Sequence, residues 1–246
     1  MALLLHDYED WKGCDAPAVA CGEGVGRAAL EKKEVKRRRN TATSLFRALR
    51  RYPLTRALRY LGQLTAADLG VSSSDAAQIR SRSGVGYQEI YAGADMTICI
   101  FLMRAGAQIP AHDHPGMHVF GRLLFGRMKV RSYDVIDDDD TGPSAPKEPL
   151  PAHYYGEEVL GPSPMTYGLG PEEGNIHQLE AVDDCAFFDI LTPPYNPGGG
   201  RNCNYFDIFS DSHRADSKSA GGGYFLLPVD RPDFGMEMQA YRGPSF

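Results

Sequence analysis

Apolar residues are spaced in three different ways along this chain, and the changes fall near residues 44 and 84. Before residue 44 no apolar period is sustained. From Ser44, the run SLFRALRRYPLTRALRYLGQL sets Leu45, Phe46, Leu49, Leu54, Leu58, Leu61 and Leu64 at roughly helical spacing with arginines between them. Pro53 lacks an N–H and crowds the preceding turn, so two short helices are predicted rather than one. An Arg-flanked stripe could meet nucleic acid or a membrane, but helices packed on the body of the domain are the favoured reading. TAADLG at 65–70 then opens a capped turn, with Asp68 three residues after Thr65.

After Gly84 the period falls to two. YQEIY (87–91), MTICIFLMRA (96–105), HVFGRLLFG (118–126), RMKVRSYDV (127–135), MTYGL (165–169), HQLEAV (177–182), AFFDIL (186–191), NYFDIF (204–209) and YFLLPV (224–229) are short, rich in β-branched and aromatic residues, and separated by Gly/Pro turns. No ten-residue helical pattern lies between them, which argues against a parallel α/β sheet. The chain is therefore expected to be all-β, an antiparallel jelly-roll barrel with short N-terminal helices. DDDDTGPSAPKEPLP at 137–151 has the composition of an exposed loop.

Charge divides the chain in the same place. Residues 1–80 carry 14 Lys+Arg against 9 Asp+Glu, and the remainder 12 against 23. Residues 1–43, with the run KKEVKRRR at 32–39, read as a solvated, disordered basic extension, with a nuclear import signal or a weak polyanion contact as the sharper reading. Residues 44–246 read as the single folded domain. Five scattered cysteines without a CxxC pair indicate neither a disulfide framework nor a zinc ribbon. The start MALLLHDYED is too short in apolar residues for a signal peptide, its acids disfavour a mitochondrial presequence, and no apolar run approaches a membrane span. A cytoplasmic or nuclear, monomeric protein that meets neither membrane nor nucleic acid is expected.

Three of the seven histidines, His112, His114 and His118, fall within seven residues of IPAHDHPGMHVF. If this segment is a strand, His112 and His114 share a face and their ring nitrogens can converge on one ion. Pro110 and Pro115 bracket the pair, and Gly106 and Gly116 permit tight turns. GNIHQLEA supplies His177 as a third ligand on another strand. His118 is left as a bystander or a neighbour of the ligands rather than a fourth ligand. His6, His153 and His213 lie in loop-like or tail sequence and are expected at the surface.

The two segments resemble the metal motifs of the cupin superfamily, with its double-stranded β-helix. Gly106, His112 and His114 match the first motif, with His118 where a glutamate is usual; Gly174 and His177 match the second. HDHPGM (112–117), LLFGRMKVRSYDV, AADLGV (66–71), NIHQLEA (175–181), FDILTPPY (188–195) and the terminal AYRGPSF narrow the resemblance to the thiol dioxygenases of the plant cysteine oxidase and cysteamine dioxygenase family, over roughly residues 60–246. That resemblance implies Fe(II) on His112, His114 and His177, an aspartate needed for activity at Asp189, and the segment's tyrosine at Tyr195. Cys203 and Tyr205 have the spacing of a Cys–Tyr crosslink known in some members, although an unlinked pair is the simpler expectation.

The chemistry agrees with this reading. Three neutral imidazoles leave the full +2 charge on iron, which favours an anionic, soft thiolate. Oxidation of that thiol by O2 gives a sulfinic acid. The expected substrate is the N-terminal cysteine of a protein or peptide, whose oxidation feeds an oxygen-dependent degradation signal in this family; cysteamine or another small aminothiol is the alternative. Asp189, inside apolar AFFDIL, is the expected acceptor for the substrate amine or the orienter of a ligand imidazole. Two readings of other classes are a metal-dependent sugar isomerase, which usually needs the glutamate that His118 replaces, and a non-enzymatic cupin ligand-binding module, which tends to lose its metal histidines.

Overall fold

The structure is a computed structural model that describes residues 3–4, 41–50, 54–136, 149–161, 166–210, 223–230 and 232–246. Most of the expected basic extension, residues 137–148 of the acidic loop, and Pro53 lie outside the described residues. The strands in chain order are β1 (Leu3–Leu4), β2 (Val85–Ala92), β3 (Thr97–Met103), β4 (Gln108–His112), β5 (His118–Phe125), β6 (Met128–Val135), β7 (Leu150–Leu160), β8 (Thr166–Leu169), β9 (Ile176–Ala181), β10 (Cys185–Thr192), β11 (Tyr205–Ser210), β12 (Tyr224–Val229) and β13 (Glu237–Met238).

On either side of Pro53 stand α1 (residues 41–50) and α2 (Leu54–Leu61), the two helices that the proline predicts. Ala42, ahead of the expected start at Ser44, is already buried. Leu45, Phe46, Leu49, Leu61 and Leu64 are buried against Ile98, Ile100, Leu102, Phe188 and Ile190, so the arginine-flanked stripe lies on the barrel. The turn at Ala66–Leu69 carries the predicted capping box between Thr65 and Asp68.

One sheet runs β1-β8-β5-β10-β3-β2-β13; the other closes as β11-β12-β7-β6-β9-β4. Pairing is antiparallel except for the two-residue contact of β13 with β2. Between the sheets lies a core to which Met103, Leu123 and Phe187 contribute from the first and Ile109, Met128 and Leu179 from the second. The first sheet is thus covered on both faces, by helices outside and by its partner inside. This is why β10 reads CAFFDILT without alternation and is buried from Cys185 to Leu191. The result is the expected all-β, antiparallel barrel with short N-terminal helices. Among the described residues no helix is long and apolar enough to cross a membrane.

Besides the two-residue β1, inside the expected extension, and β13, two longer strands depart from the sequence reading. β7 begins at Leu150, inside the stretch expected to be loop, and pairs with β6 from Met128↔Leu160 to Val135↔Ala152. Its residues LPAHYYGEEVL bury only Ala152 and Leu160, so pairing on both sides holds it without an apolar face to announce it. β4 carries a proline and a register irregularity between Ile109 and His112, the setting in which strands tolerate proline.

Candidate metal centre

β4 and β9 are adjacent, and His112 and His177 are register partners across them. β4 ends at His112, so His114 does not share a strand face with it, which corrects the alternation argument. His114 is placed instead by Asn175, two residues before His177. The Asn175 Oδ1 accepts from the His114 N–H at 2.7 Å, and its Nδ2 donates to the His114 carbonyl at 3.0 Å and to the Gly170 carbonyl at 2.9 Å. Gly174, at φ 64°, makes the left-handed turn into β9. The carboxylate of Asp134 fixes that turn by accepting from the Gly174 and Asn175 N–H groups, at 2.7 and 3.0 Å.

The three imidazoles form one group, with ring centroids 4.6 to 5.1 Å apart and ligand nitrogens within 4.8 Å of one another. Hydrogen bonds fix which nitrogen of two of them faces inward. His112 Nδ1 donates to the Pro110 carbonyl at 2.8 Å. The Tyr195 hydroxyl lies 2.7 Å from the Asp113 carbonyl, which can only accept, and 2.8 Å from His114 Nδ1. Tyr195 therefore donates to Asp113 and accepts from His114 Nδ1–H. Both rings then keep the Nε2 lone pair, the arrangement common to metal-ligating histidines. The Nε2 of His114 is buried with no hydrogen-bond partner among the described residues.

Burial holds all three rings below the usual imidazole range, and mutual repulsion adds to it at His114 and His177. They are neutral donors at neutral pH. Three such nitrogens fit a divalent transition ion.

The group opens on a cavity of about 90 Å³ walled by Phe101, Phe187 and Leu191, with Asp189, Tyr195, Cys203 and Tyr205 also lining it. Asp189 is buried, and loss of water raises its carboxyl to about 7 against a hydrogen bond from the Tyr167 hydroxyl at 2.6 Å. Cys203 hydrogen-bonds both Tyr195 and Tyr205. The site thus gathers His112, His114, His177, Asp189, Tyr195, Cys203 and Tyr205, and it leaves out His118, which is exposed on β5 and stacks on Phe120. The position where an isomerase would need its glutamate therefore stands outside the group.

Sequence reasoning missed the residues that hold the ligands. Asn175 and Asp134 carry their signal only in adjacency to motif residues. Asp113, between the two histidines, accepts from both the N–H and the side-chain amide of Asn204 at 2.8 Å, tying the turn to the entry of β11. Tyr167 and Gly121 were equally silent.

The PCO_ADO family matches residues 60–246. The chain is 32% identical over 215 residues to 2-aminoethanethiol dioxygenase of Mus musculus, covering 75% of this chain and 81% of that protein. Against 2-aminoethanethiol dioxygenase of Homo sapiens it is 29% identical over 220 residues, covering 78% and 80%. With plant cysteine oxidase 2 of Arabidopsis thaliana it shares 33% over 197 residues, 75% of this chain and 71% of the relative. A match over most of the folded chain, on the segments that build the three-histidine cavity, settles the assignment: the chain belongs to the PCO_ADO family and is an enzyme of the thiol dioxygenase type.

Proposed function

We propose that the protein oxidises the thiol of an N-terminal cysteine, on a peptide or protein, to the sulfinic acid with O2, using Fe(II) held by His112, His114 and His177. The observation that carries this reading is the buried, unpaired Nε2 of His114 beside two further neutral imidazoles. An unpaired buried polar atom costs about 1–3 kcal/mol, which a coordinated ion relieves. Oxygenation needs a redox-active ion, so zinc, which has no redox chemistry, is not the working metal. Bound there, Fe(II) supplies the charge that holds a thiolate and the electrons that activate O2.

The chain's own residues select, orient and shield. Asp189 accepts a hydrogen bond from the substrate ammonium and fixes the thiol's approach. Phe101, Phe187 and Leu191 keep water from the sulfur. Tyr195 holds His114 in the tautomer that binds metal, and Cys203 and Tyr205 serve as unlinked cavity wall. Both oxygen atoms end on sulfur, R–SH + O2 giving R–SO2H, so no other reductant is required.

A peptide is favoured over 2-aminoethanethiol because Met236, one of the residues lining the cavity, is itself 37% exposed, which suits a way out for the chain after the cysteine. The acidic balance beyond residue 80 also suits a cationic N-terminus. The deciding experiment follows O2 uptake and product mass for iron-loaded protein given a Cys-starting peptide or 2-aminoethanethiol. Higher kcat/KM on the peptide is expected. Preference for 2-aminoethanethiol overturns the substrate, and uptake with neither overturns the reaction.

A further inference from the structure

Tyr167, Gly121 and Asp189 stand in one row across three strands. Tyr167 on β8 is the register partner of Gly121 on β5, and Gly121 is the partner of Asp189 on β10. Tyr167 and Asp189 are therefore two strands apart, about 9.5 Å at the usual spacing, beyond contact unless a side chain crosses the strand between. The Tyr167 ring makes that crossing. It passes over the glycine so closely that a Cβ on Gly121 would strike both the ring and the Oδ1 of Asp189. Glycine inside a strand marks such a close approach. The hydroxyl then donates to Oδ1 at 2.6 Å, in the short range of bonds to carboxylate.

We infer that Tyr167 is a positioning residue for the reaction, which turns the Asp189 carboxylate to face the substrate amine and reaches it only because position 121 has no side chain. Asp189 lines the cavity and Tyr167 does not, so the tyrosine acts through the acid. On its other flank Asp189 meets Cys99, its register partner on β3, a buried thiol hydrogen-bonded to Tyr87. Tyr167 supplies the one hydrogen bond of the Asp189 side chain among the described residues. With Oδ1 so held, Oδ2 is left for the incoming ammonium. The inference rests on the substrate-binding role proposed for Asp189.

The test compares a Cys-starting peptide with the same peptide begun by 3-mercaptopropionyl, which has the thiol but no amine. Iron-loaded wild-type, Tyr167→Phe, Gly121→Ala, Asp189→Asn and Tyr167→Phe/Asp189→Asn proteins are assayed for kcat/KM on each and for peptide binding without O2. Tyr167→Phe keeps the ring and is expected to lose about tenfold in preference for the amine-bearing peptide, mostly in KM, with kcat/KM on the other nearly unchanged. Gly121→Ala, which displaces the ring, gives the same signature. Should Gly121→Ala fail to fold, Tyr167→Phe and the double variant still decide. The double variant is expected to be no worse than Asp189→Asn, because both changes remove one device. Wild-type preference in Asp189→Asn sinks the role of Asp189 itself. Lost preference in Asp189→Asn beside wild-type preference in Tyr167→Phe sinks the role of Tyr167 alone, as does an equal loss on both peptides.

Discussion

His112 and His177 face one another across the antiparallel pair β4–β9, their rings 4.6 Å apart. The pair stands one irregularity beyond the ladder of Gln108 and Ile109 with Glu180 and Leu179, so backbone pairing rather than a free loop sets the separation of these rings. His114 is the ligand that pairing does not place. It leaves the turn after β4 and is held by Asn175, which rides on the entry to β9. The centre is thus two fixed ligands and one clamped to them.

That division makes Asn175 the first residue to test. Asn175→Ala removes three hydrogen bonds and frees His114, while His112 and His177 keep their register. Metal affinity is expected to fall about 10- to 100-fold, the usual cost of losing a group that orients a ligand. Chelator competition measures it. Unchanged affinity in a folded variant would mean the clamp is not needed.

Proton competition for the metal is the second. Three imidazoles of ordinary pKa, ~6.5, would together cost about fiftyfold in affinity between pH 7.5 and 6. Burial pushes all three down, so protons compete only at lower pH. The loss over this interval is expected to stay within about fivefold. A fiftyfold loss in the same titration would show that the rings are not held neutral.

The sequence made some of this plain and hid the rest, for reasons visible at single residues. His112, His114 and His177 are marked by their own chemistry and by the glycines that turn the chain beside them. β10 is marked by an apolar run that only a doubly covered strand can carry. β7 has no such mark, because its pairing is through backbone groups that every residue owns. Asn175 stands in the turn before β9 and Asp134 near the end of β6, and neither residue type marks a role in such a place. Tyr167 and Gly121 are 46 positions apart, and their meeting at Asp189 exists only once three strands are aligned.

Asp189 gives a third expectation, read through stability. Its carboxyl titrates near 7 in the fold and at ~3.9 unfolded, so between those values the folded protein holds a proton that the unfolded chain has lost. Unfolding free energy therefore falls as pH rises through this window. Asn in this place cannot ionise and still accepts from Tyr167. The buried histidines work in the opposite direction below ~6.5, where the unfolded chain takes up protons that the fold refuses. They are common to both proteins and cancel in the comparison. Metal-free Asp189→Asn is expected to gain on wild type by about 2.5 kcal/mol between pH 5 and 7.5 in urea melts. A difference independent of pH would contradict a raised carboxyl.

Tyr195 separates a holding role from a reacting one. Burial raises its hydroxyl far above the usual phenol range, so it does not ionise at neutral pH. Its proton goes to the Asp113 carbonyl and one lone pair takes His114 Nδ1–H, with Cys203 as a further hydrogen-bond partner. Tyr195→Phe leaves a buried N–H and a buried carbonyl without partners, a cost of about 1–3 kcal/mol. The His114 ring then loses its tautomer and its orientation together. The variant is expected to bind metal about tenfold more weakly, and at saturating iron to lose activity by one constant factor from pH 6 to 9. A tyrosine that passed a proton to the reacting oxygen would behave otherwise, because its removal would bend the pH profile where that transfer limits the rate. A loss that grows toward one end of the profile, with metal affinity intact, would move Tyr195 from the scaffold of His114 into the reaction.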